Sequence, residues 1–416
     1  MTEPGDRRQL GTGPGQDGGR DAGAALMEAV RDGRVPGAVA AIGKGPEAAA
    51  SWVAGHADTT PGAERPMRAD TLFDLASLTK VVGTATAVLA LAGRGALELD
   101  DPSGRYLPHF GALREVTVRQ LLAHTSGLPD TRKFYEWCAG PDELLRDLHA
   151  TPLEAPPGTR VTYSDLGFMA LGEIVATVAG EPLDAAVADL VTAPLGMTRT
   201  GYNPAALVIP AEASPAADDA DAADASCASA GRTGSGRAGD RHTGGVGFAA
   251  TERGTGGFAA TERGPDGAPW TGVVHDENAR LMGGVAGHAG LFAPVADLKA
   301  FAAWWAGEDD VAVPARLRRE AERLQTAGLG GCRGLGWVRQ GDRFDILQGT
   351  WPPDSVSHTG FTGTSLAIDP ETGTWAVLLT NAVHFGRDPA RIRTLRREFH
   401  AALGAYLPAG DKTGSE

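Results

Sequence analysis

Cysteine is scarce in this chain, and long apolar runs are missing. Only three cysteines, Cys138, Cys227 and Cys332, occur among 416 residues, and they are too few and too scattered for a disulfide framework or a zinc cage. No stretch approaches the ~20 apolar residues that a helix needs to cross a bilayer, so we expect no membrane span. The 42% hydrophobic and 22% charged residues are typical of a globular protein with a substantial core.

Positive charge is also in deficit. The chain has 38 Lys and Arg residues against 52 Asp and Glu, which gives a formal net charge of −14. Proteins that bind nucleic acids usually carry a basic face that displaces counterions from phosphate, so we expect no nucleic-acid partner. Residues 1–21 contain no apolar core of a secretory signal, which predicts a cytoplasmic protein.

Two stretches lack the apolar residues that folding requires. Residues 1–22 are Gly-rich and polar and cannot offset the entropy of ordering, so we predict a disordered tail. Residues 211–267 are of low complexity, first Ala/Asp-rich and then rich in Gly, Ser and Arg, which predicts a surface insertion. Within this insertion, residues 248–254 are repeated identically as 258–264. Two short copies are too few for a solenoid and indicate a local duplication.

The remainder alternates between strand and helix patterns. Strands are predicted at 37–43, 49–54, 344–348, 355–358, 365–369 and 375–380. Helices are predicted at 79–92, 166–178, 184–191 and 389–402. Strands thus come from both ends of the chain, and helices from its middle. This arrangement predicts an α/β fold in which residues 23–75 and 335–406 form the two halves of a sheet domain, and residues 76–334 form an inserted helical domain.

The sequence Ser77-Leu78-Thr79-Lys80 opens the first predicted helix. Positions i and i+3 share one helix face, so the Ser77 hydroxyl and the Lys80 amine should be neighbours. A nearby amine and the positive end of a helix dipole both favour ionisation of a serine hydroxyl, which is a weak nucleophile otherwise. The spacing alone is a weak signal, because a capping serine and a solvated lysine produce it too. A charged residue inside an apolar helix, however, indicates a paired or pocket-lining group.

Two further motifs follow in order along the chain. Tyr163-Ser164-Asp165 precedes a predicted helix, and His358-Thr359-Gly360 ends a predicted strand. Together with the Ser-x-x-Lys motif, they resemble the serine β-lactamase and penicillin-binding-protein superfamily. The resemblance is strongest to its class C-type branch, which also contains esterases, D,D-peptidases and amidases. Residues 121–129 (LLAHTSGLP) and 283–292 (GGVAGHAGLF) are similar to segments of that branch.

The resemblance implies a fold and a set of roles. The fold is β-lactamase/transpeptidase-like, with an antiparallel sheet flanked by helices. Ser77 is the implied nucleophile, Lys80 is the amine beside it, and Tyr163 passes protons between the Ser77 oxygen and the leaving group. The backbone N–H groups of Ser77 and Phe361 would form an oxyanion hole, in which each donor is worth about 2.7–4 kcal/mol. The implied substrate-binding residues are Asp165, His358, Thr359, Gly360 and Phe361. We expect neither a cofactor nor a metal.

Two residues depart from the pattern of the superfamily. Asp165 stands where Asn is usual, and an anion near Lys80 would stabilise the ammonium and make the amine a poorer base. This change favours Tyr163 as the proton acceptor. His358 stands where β-lactamases usually have Lys, and imidazole offers less positive charge to a substrate carboxylate at pH 7. Both departures favour an ester or another acyl substrate without an obligatory carboxylate over β-lactams.

Histidines elsewhere in the sequence leave several readings open. His275, Asp276, Asn278 and His288 lie among glycines and are consistent with a loop network, a substrate-facing loop or, with the least support, a metal site. His124 is predicted to be a structural residue that hydrogen-bonds its own loop.

The leading prediction is a serine acyl hydrolase that works through a covalent acyl-Ser77 intermediate. Its candidate activities are those of a carboxylesterase, an amidase of muramyl peptides, a D,D-peptidase or a β-lactamase. The alternatives are a non-catalytic penicillin-binding-like sensor or binding module, and a metal-dependent amidase built on His275, Asp276 and His288. The expected partner is a small-molecule or peptide acyl substrate, and the oligomeric state is not predictable from the sequence.

Overall fold

The computed structural model describes residues 16–203, 257–264 and 267–404. Residues 1–15 of the predicted tail, and most of the predicted insertion at 211–267, lie outside the described residues. Helix α1 (Gln16–Arg31) begins inside the predicted tail. Its side chains Ala22, Leu26 and Ala29 are fully buried. Because this apolar face packs against the rest of the protein, the helix includes residues that their glycine content had assigned to the tail.

A seven-stranded antiparallel sheet forms the centre of the molecule. The strands of this sheet and of a smaller second sheet are, in chain order, β1 (Gly37–Lys44), β2 (Glu47–Asp58), β3 (Arg65–Pro66), β4 (Phe73–Asp74), β5 (Phe292–Ala293), β6 (Val338–Arg339), β7 (Val356–Thr359), β8 (Ser365–Asp369) and β9 (Thr374–Thr380). The order in the sheet is β3-β2-β1-β9-β8-β7-β6, and β4 pairs with β5 in a separate two-stranded sheet. Strand β1 pairs with β9, with Ala40 opposite Leu378. The two ends of the chain therefore meet in the middle of the sheet.

Helices cover both faces of this sheet. The further helices are α2 (Thr86–Gly93), α3 (Val118–Leu122), α4 (Pro141–His149), α5 (Asp165–Ala179), α6 (Leu183–Val187), α7 (Glu277–Leu281), α8 (Val295–Ala306), α9 (Ala315–Glu322) and α10 (Pro389–Gly404). Alternation along β1 sends Val39 and Ala41 into the main core with α8, while Ala38 and Ala40 pack towards α1 and α10. An antiparallel sheet flanked by helices confirms the predicted fold class.

The helix that follows Ser77 begins irregularly. Residues Lys80–Ala85 form a π-helical segment, which continues directly into α2. The Thr86 hydroxyl donates to the Val81 carbonyl at 2.6 Å, a contact across the wider turn. Such π segments frequently occur at functional sites.

The prediction of a strand at 344–348 was wrong. Aspartate side chains accept hydrogen bonds from backbone N–H groups there: Asp342 from Phe344 at 2.9 Å and Asp345 from Leu347 at 2.7 Å. Because these local bonds use the donors that a ladder would need, the segment turns instead of pairing. The edge strand on this side is β6.

No helix among the described residues is both long and apolar enough to cross a membrane.

Candidate active site

Ser77 follows a turn that a buried aspartate holds in place. The Asp74 carboxylate accepts from the Ala76 N–H at 2.8 Å and from the His275 N–H at 2.7 Å. Ala76 has a φ of +45°, a conformation that non-glycine residues rarely adopt and that often marks functional sites. The turn therefore positions Ser77 at the start of the π-helical segment, half-buried and facing a cavity.

Lys80 lies beside Ser77, as the i, i+3 spacing predicted. Its Nζ atom donates to Ser77 Oγ at 3.0 Å and to the His288 carbonyl at 3.0 Å. The same atom lies 2.7 Å from Asp165 Oδ1. The lysine side chain is completely buried, so its ammonium is fixed by three oxygen partners.

These partners decide the protonation state of Lys80. Burial by itself lowers the pKa of the amine, but the Asp165 carboxylate and the Tyr163 phenol more than offset it, and the pKa of Lys80 lies above its ordinary value. Lys80 is therefore an ammonium at neutral pH. In this state it can donate to Ser77 but cannot accept the proton of the hydroxyl.

The loop that carries Tyr163 is held by His124. The His124 carbonyl accepts from the Thr162 N–H at 2.9 Å, and its Nδ1 accepts from the Ser164 N–H at 3.0 Å. The His124 ring also packs against the Tyr163 ring, with 4.6 Å between centroids. Burial and nearby cations hold the pKa of His124 well below its usual range. The histidine is thus a neutral positioning residue that fixes both neighbours of Tyr163.

Tyr163 lies between two cations. Lys80 Nζ is 5.1 Å from the centre of its ring, and the guanidinium carbon of Arg333 is 5.3 Å from it. Arg333 is 1% exposed and forms a paired ionic contact with Asp342 at 2.9 and 3.0 Å. Its Nη1 atom has no hydrogen-bond partner among the described residues. Both cations therefore lie against the ring of Tyr163.

The strand side of the cavity is formed by the end of β7 and the turn after it. Thr362 and Thr364 donate through their hydroxyls to the carbonyls of Asp74 and Leu75, at 2.7 and 3.1 Å. Gly360 lies so close to this segment that an added Cβ would be 2.3 Å from the Leu75 carbonyl oxygen. The strand end is therefore bound to the chain just before the nucleophile.

His358 is buried at the end of this strand and is neutral. Burial and the charges of Lys80 and Arg333 hold the pKa of His358 well below its usual range. Its Nδ1 contacts the Thr359 carbonyl at 3.0 Å, and the ring centre lies 6.1 Å from that of Tyr163. His358 therefore supplies shape and polarity to the site but no positive charge.

The histidines of the 275–288 segment contact carboxylate groups. His275 Nε2 lies 3.0 Å from Glu262, and His288 Nε2 lies 2.8 Å from Asp276. Asn278 donates to the Arg132 carbonyl at 2.7 Å. These side chains do not bring three ligand atoms together at one point in the described part of the chain. Of the three readings, the loop network is the one that the contacts support.

A family model named Beta-lactamase matches residues 23–401. The chain belongs to the β-lactamase family. A putative D-alanyl-D-alanine carboxypeptidase of Escherichia coli (strain K12) is 30% identical over 349 residues, which cover 77% of this chain and 72% of the relative. Esterase EstB of Burkholderia gladioli is 40% identical over 205 residues, which cover 43% of this chain and 50% of the esterase.

A solved structure supports the fold assignment. EstCE1, described as a hydrolase with promiscuous acyltransferase activity, matches with a TM-score of 0.63 and 22% identity, and the match covers 92% of this chain and 99% of that one. Membership of the family and the names of the relatives confirm the predicted serine acyl hydrolase of the β-lactamase-related kind.

The structure brings Ser77, Tyr163 and residues 358–361 together around one cavity, and the buried Lys80 contacts both Ser77 and Asp165. The cavity has a volume of about 580 Å³ and is lined by Ser77, Tyr163 and His358–Phe361 among others. The Phe361 side chain is 52% exposed and stacks on His275 at 5.6 Å. The predicted site residues are therefore neighbours in space, although they are far apart in sequence.

Two residues of the site were missed by sequence reasoning. Asp74 carried a weak signal, because it is an acidic residue directly before a candidate nucleophile turn. Arg333 carried none, since it stands in a Gly-rich stretch without a motif. Only the fold places its guanidinium beside Tyr163.

Proposed function

We propose that this protein hydrolyses ester substrates through an acyl-Ser77 intermediate, with Tyr163 as the general base. The observation that carries the proposal is the ammonium of Lys80, fixed by Asp165 at 2.7 Å. Because that amine holds its proton, the Ser77 hydroxyl must pass its own proton to another group. Tyr163 lines the same cavity as Ser77 and lies beside Lys80, so we assign it as that proton acceptor.

The proposed reaction starts with Tyr163 as a phenolate. Ser77 Oγ attacks the acyl carbon and its proton moves to the Tyr163 oxygen, while the backbone N–H groups of Ser77 and Phe361 stabilise the oxyanion. Tyr163 returns the proton to the leaving alcohol, and the acyl-serine forms. A water molecule then attacks the acyl carbon and gives its proton to Tyr163, which returns it to Ser77 as the acid leaves. Lys80 remains an ammonium throughout and stabilises the negative oxygen.

The residue at the end of β7 supports an ester as the substrate. The superfamily's usual lysine is replaced by His358, which is neutral at pH 7, so this position offers no counter-charge to a carboxylate. The 40% identity to an esterase over about half of its length supports the same choice. An acyl substrate without a carboxylate fits this environment.

A second candidate is a carboxypeptidase or amidase that acts on D-amino-acid peptides. Arginines outnumber acids in the cavity lining, where Arg333, Arg343, Arg387, Arg393, Arg396 and Arg397 are found together with Asp345 and Asp388. Arginine side chains in a cavity lining suit a substrate carboxylate, and the E. coli relative carries a carboxypeptidase name.

The test uses a fluorophosphonate probe and a substrate panel. Intact-mass analysis should show one adduct on the wild-type protein and none on Ser77→Ala. The panel would compare a p-nitrophenyl ester of a short acid, a D-alanyl-D-alanine peptide and a β-lactam. We expect the ester to have the highest kcat/KM. Peptide turnover that exceeds ester turnover would favour the second candidate, and an adduct that persists in Ser77→Ala would exclude Ser77 as the nucleophile.

A further inference from the structure

Three potential metal ligands meet on the helical side, away from the cavity. They are His109, His149 and Glu173, and their ligating atoms all lie within 4.8 Å of one another. His149 Nε2 lies 2.9 and 3.0 Å from the two Glu173 oxygens. His109 Nε2 lies 4.0 Å from the nearer Glu173 oxygen, and the two imidazole rings are 4.3 Å apart. The three donors therefore converge on one point.

The three side chains come from separate elements of the fold. His109 stands in the turn between two short 3-10 helices, Ser103–Arg105 and Gly111–Leu113. His149 is the last residue of α4, and Glu173 lies in the middle of α5. No local sequence motif brings them together, since only tertiary packing aligns a turn with two helices. The ring of Phe110 packs against His149, with 5.3 Å between centroids, and limits the movement of that imidazole.

Two imidazoles and one carboxylate are a recognised ligand set for zinc. Zn²⁺ binds His nitrogen and Glu oxygen at about 2.0–2.2 Å, with water in the remaining position when the protein supplies three ligands. Tetrahedral ligands at such bond lengths are separated by about 3.3 Å. The contact between His149 and Glu173 is already close to this value. His109, whose side chain is 54% exposed, has room to move the short distance that remains.

The electrostatic surroundings also favour a cation. His149 lies at the end of α4, where the negative pole of the helix dipole attracts positive charge.

We propose that His109, His149 and Glu173 bind a Zn²⁺ ion, which links the 109 turn to helices α4 and α5. The ion binds through two imidazole nitrogens and the carboxylate, with water completing its coordination. It stabilises the packing of the helical side rather than acting in the reaction. Glu173 lies about 12 Å along α5 from Asp165, at a rise of 1.5 Å per residue, so the ion is remote from Lys80.

The test is a titration of the full chain with Zn²⁺ after treatment with a chelator and buffer exchange. Isothermal titration calorimetry would compare the wild type with His109→Ala and Glu173→Gln. His56→Ala is the matched control, because His56 is an exposed histidine outside the cluster. We expect one tight ion per wild-type chain, at least tenfold weaker binding in both cluster variants and unchanged binding in the control.

Two further readouts keep the inference testable. Co²⁺ in place of Zn²⁺ should give the visible absorption of a four-coordinate ion in the wild type and lose it in His109→Ala, a variant at an exposed position that should fold normally. Saturating Zn²⁺ should raise the melting temperature by a few degrees in the wild type but not in Glu173→Gln. A wild type that binds no ion, or variants that bind it as tightly as the wild type, would overturn the proposal. Neither result affects the assignment of Ser77.

Discussion

On the helical side of the cavity a buried ion pair faces Ser77, whereas on the strand side the corresponding group is an uncharged imidazole. Lys80 is held as an ammonium by Asp165 at 2.7 Å, while burial and the neighbouring cations keep His358 neutral. On the helical side, an ion pair fixes the side chains beside Ser77. The strand side is held by backbone contacts, such as the close approach of Gly360 to Leu75.

This difference separates two tasks. Proton transfer needs groups whose charge is set by their neighbours, and Lys80, Asp165 and Tyr163 all lie on the helical side of the cavity. Binding of the oxyanion needs backbone donors at a fixed distance, and a strand end bound to the nucleophile turn supplies that. Changes on the helical side should therefore affect the chemistry and its pH dependence, and changes on the strand side should affect geometry and stability.

The largest effect is expected at Tyr163. Tyr163→Phe removes the proposed general base and should lower kcat for ester hydrolysis about 10³-fold, because general acid–base catalysis contributes 10²–10⁴-fold. The measurement is steady-state kinetics with a p-nitrophenyl ester. Tyr106→Phe, which loses a hydroxyl bound to Asp101 outside the cavity, is the control and should retain activity. Equal activity in Tyr163→Phe and the wild type would exclude a role for the phenol.

A second change tests the ion pair. Asp165→Asn leaves the buried Lys80 ammonium without its counter-ion and should lower the free energy of unfolding by about 2–3 kcal/mol at pH 7. In the wild type the pKa of Lys80 is raised, so its stabilising contribution is present below about pH 10.5 and is lost as pH rises through the folded-state pKa. In the variant, burial lowers that pKa, and stability should rise with pH as the amine deprotonates.

Urea unfolding at pH 7 and at pH 9.5 would show whether the stability of Asp165→Asn rises with pH. The stability difference between the wild type and Asp165→Asn should be larger at pH 7 than at pH 9.5. A difference that is the same at both pH values would mean that Asp165 does not control the protonation of Lys80.

The strand side should respond with a smaller loss. Gly360→Ala places a methyl group 2.3 Å from the Leu75 carbonyl oxygen and 2.2 Å from Thr364 Oγ1, which should destabilise the fold by about 1–3 kcal/mol. The strand must also move away from Ser77, so activity should fall about tenfold or more. Gly111→Ala, where an added Cβ meets nothing within 4 Å, is the matched control. Thermal unfolding and ester kinetics would show whether Gly360→Ala lowers the melting temperature and the activity while Gly111→Ala changes neither.

The smallest effect is expected at His358. Because burial and nearby cations hold the pKa of His358 well below its usual range, His358→Gln should change kcat/KM for an ester less than about tenfold and leave the pH profile between pH 6.5 and 8 unchanged. A loss of 10² or more, in the range of a general acid or base, would show that His358 takes part in proton transfer. Kinetics across this pH range would distinguish the two roles.

Much of the fold was predictable because its signals are local. The strand at Ser365–Asp369 was predicted with its observed bounds, and the closing helix was predicted within two residues of its end at Gly404. The segment 344–348 was not, because its apolar residues imitate a strand while Asp342 and Asp345 bind the backbone. The division of the chain at residues 76 and 334, like the cytoplasmic location, stays a prediction.

The sequence by itself determined the motifs whose chemistry depends on spacing. Ser77 and Lys80 are neighbours on any helix, and Tyr163 and His358 are recognisable by the residues that follow them. The resemblance already implied that Asp165 would stabilise the Lys80 ammonium, and the structure shows that contact at 2.7 Å. Only the tertiary structure decided that Arg333 reaches Tyr163 and that His109, His149 and Glu173 converge. The physical reason is that protonation and ligand geometry depend on burial and on charges a few ångströms away. Those neighbours come from distant parts of the chain, which only folding brings together.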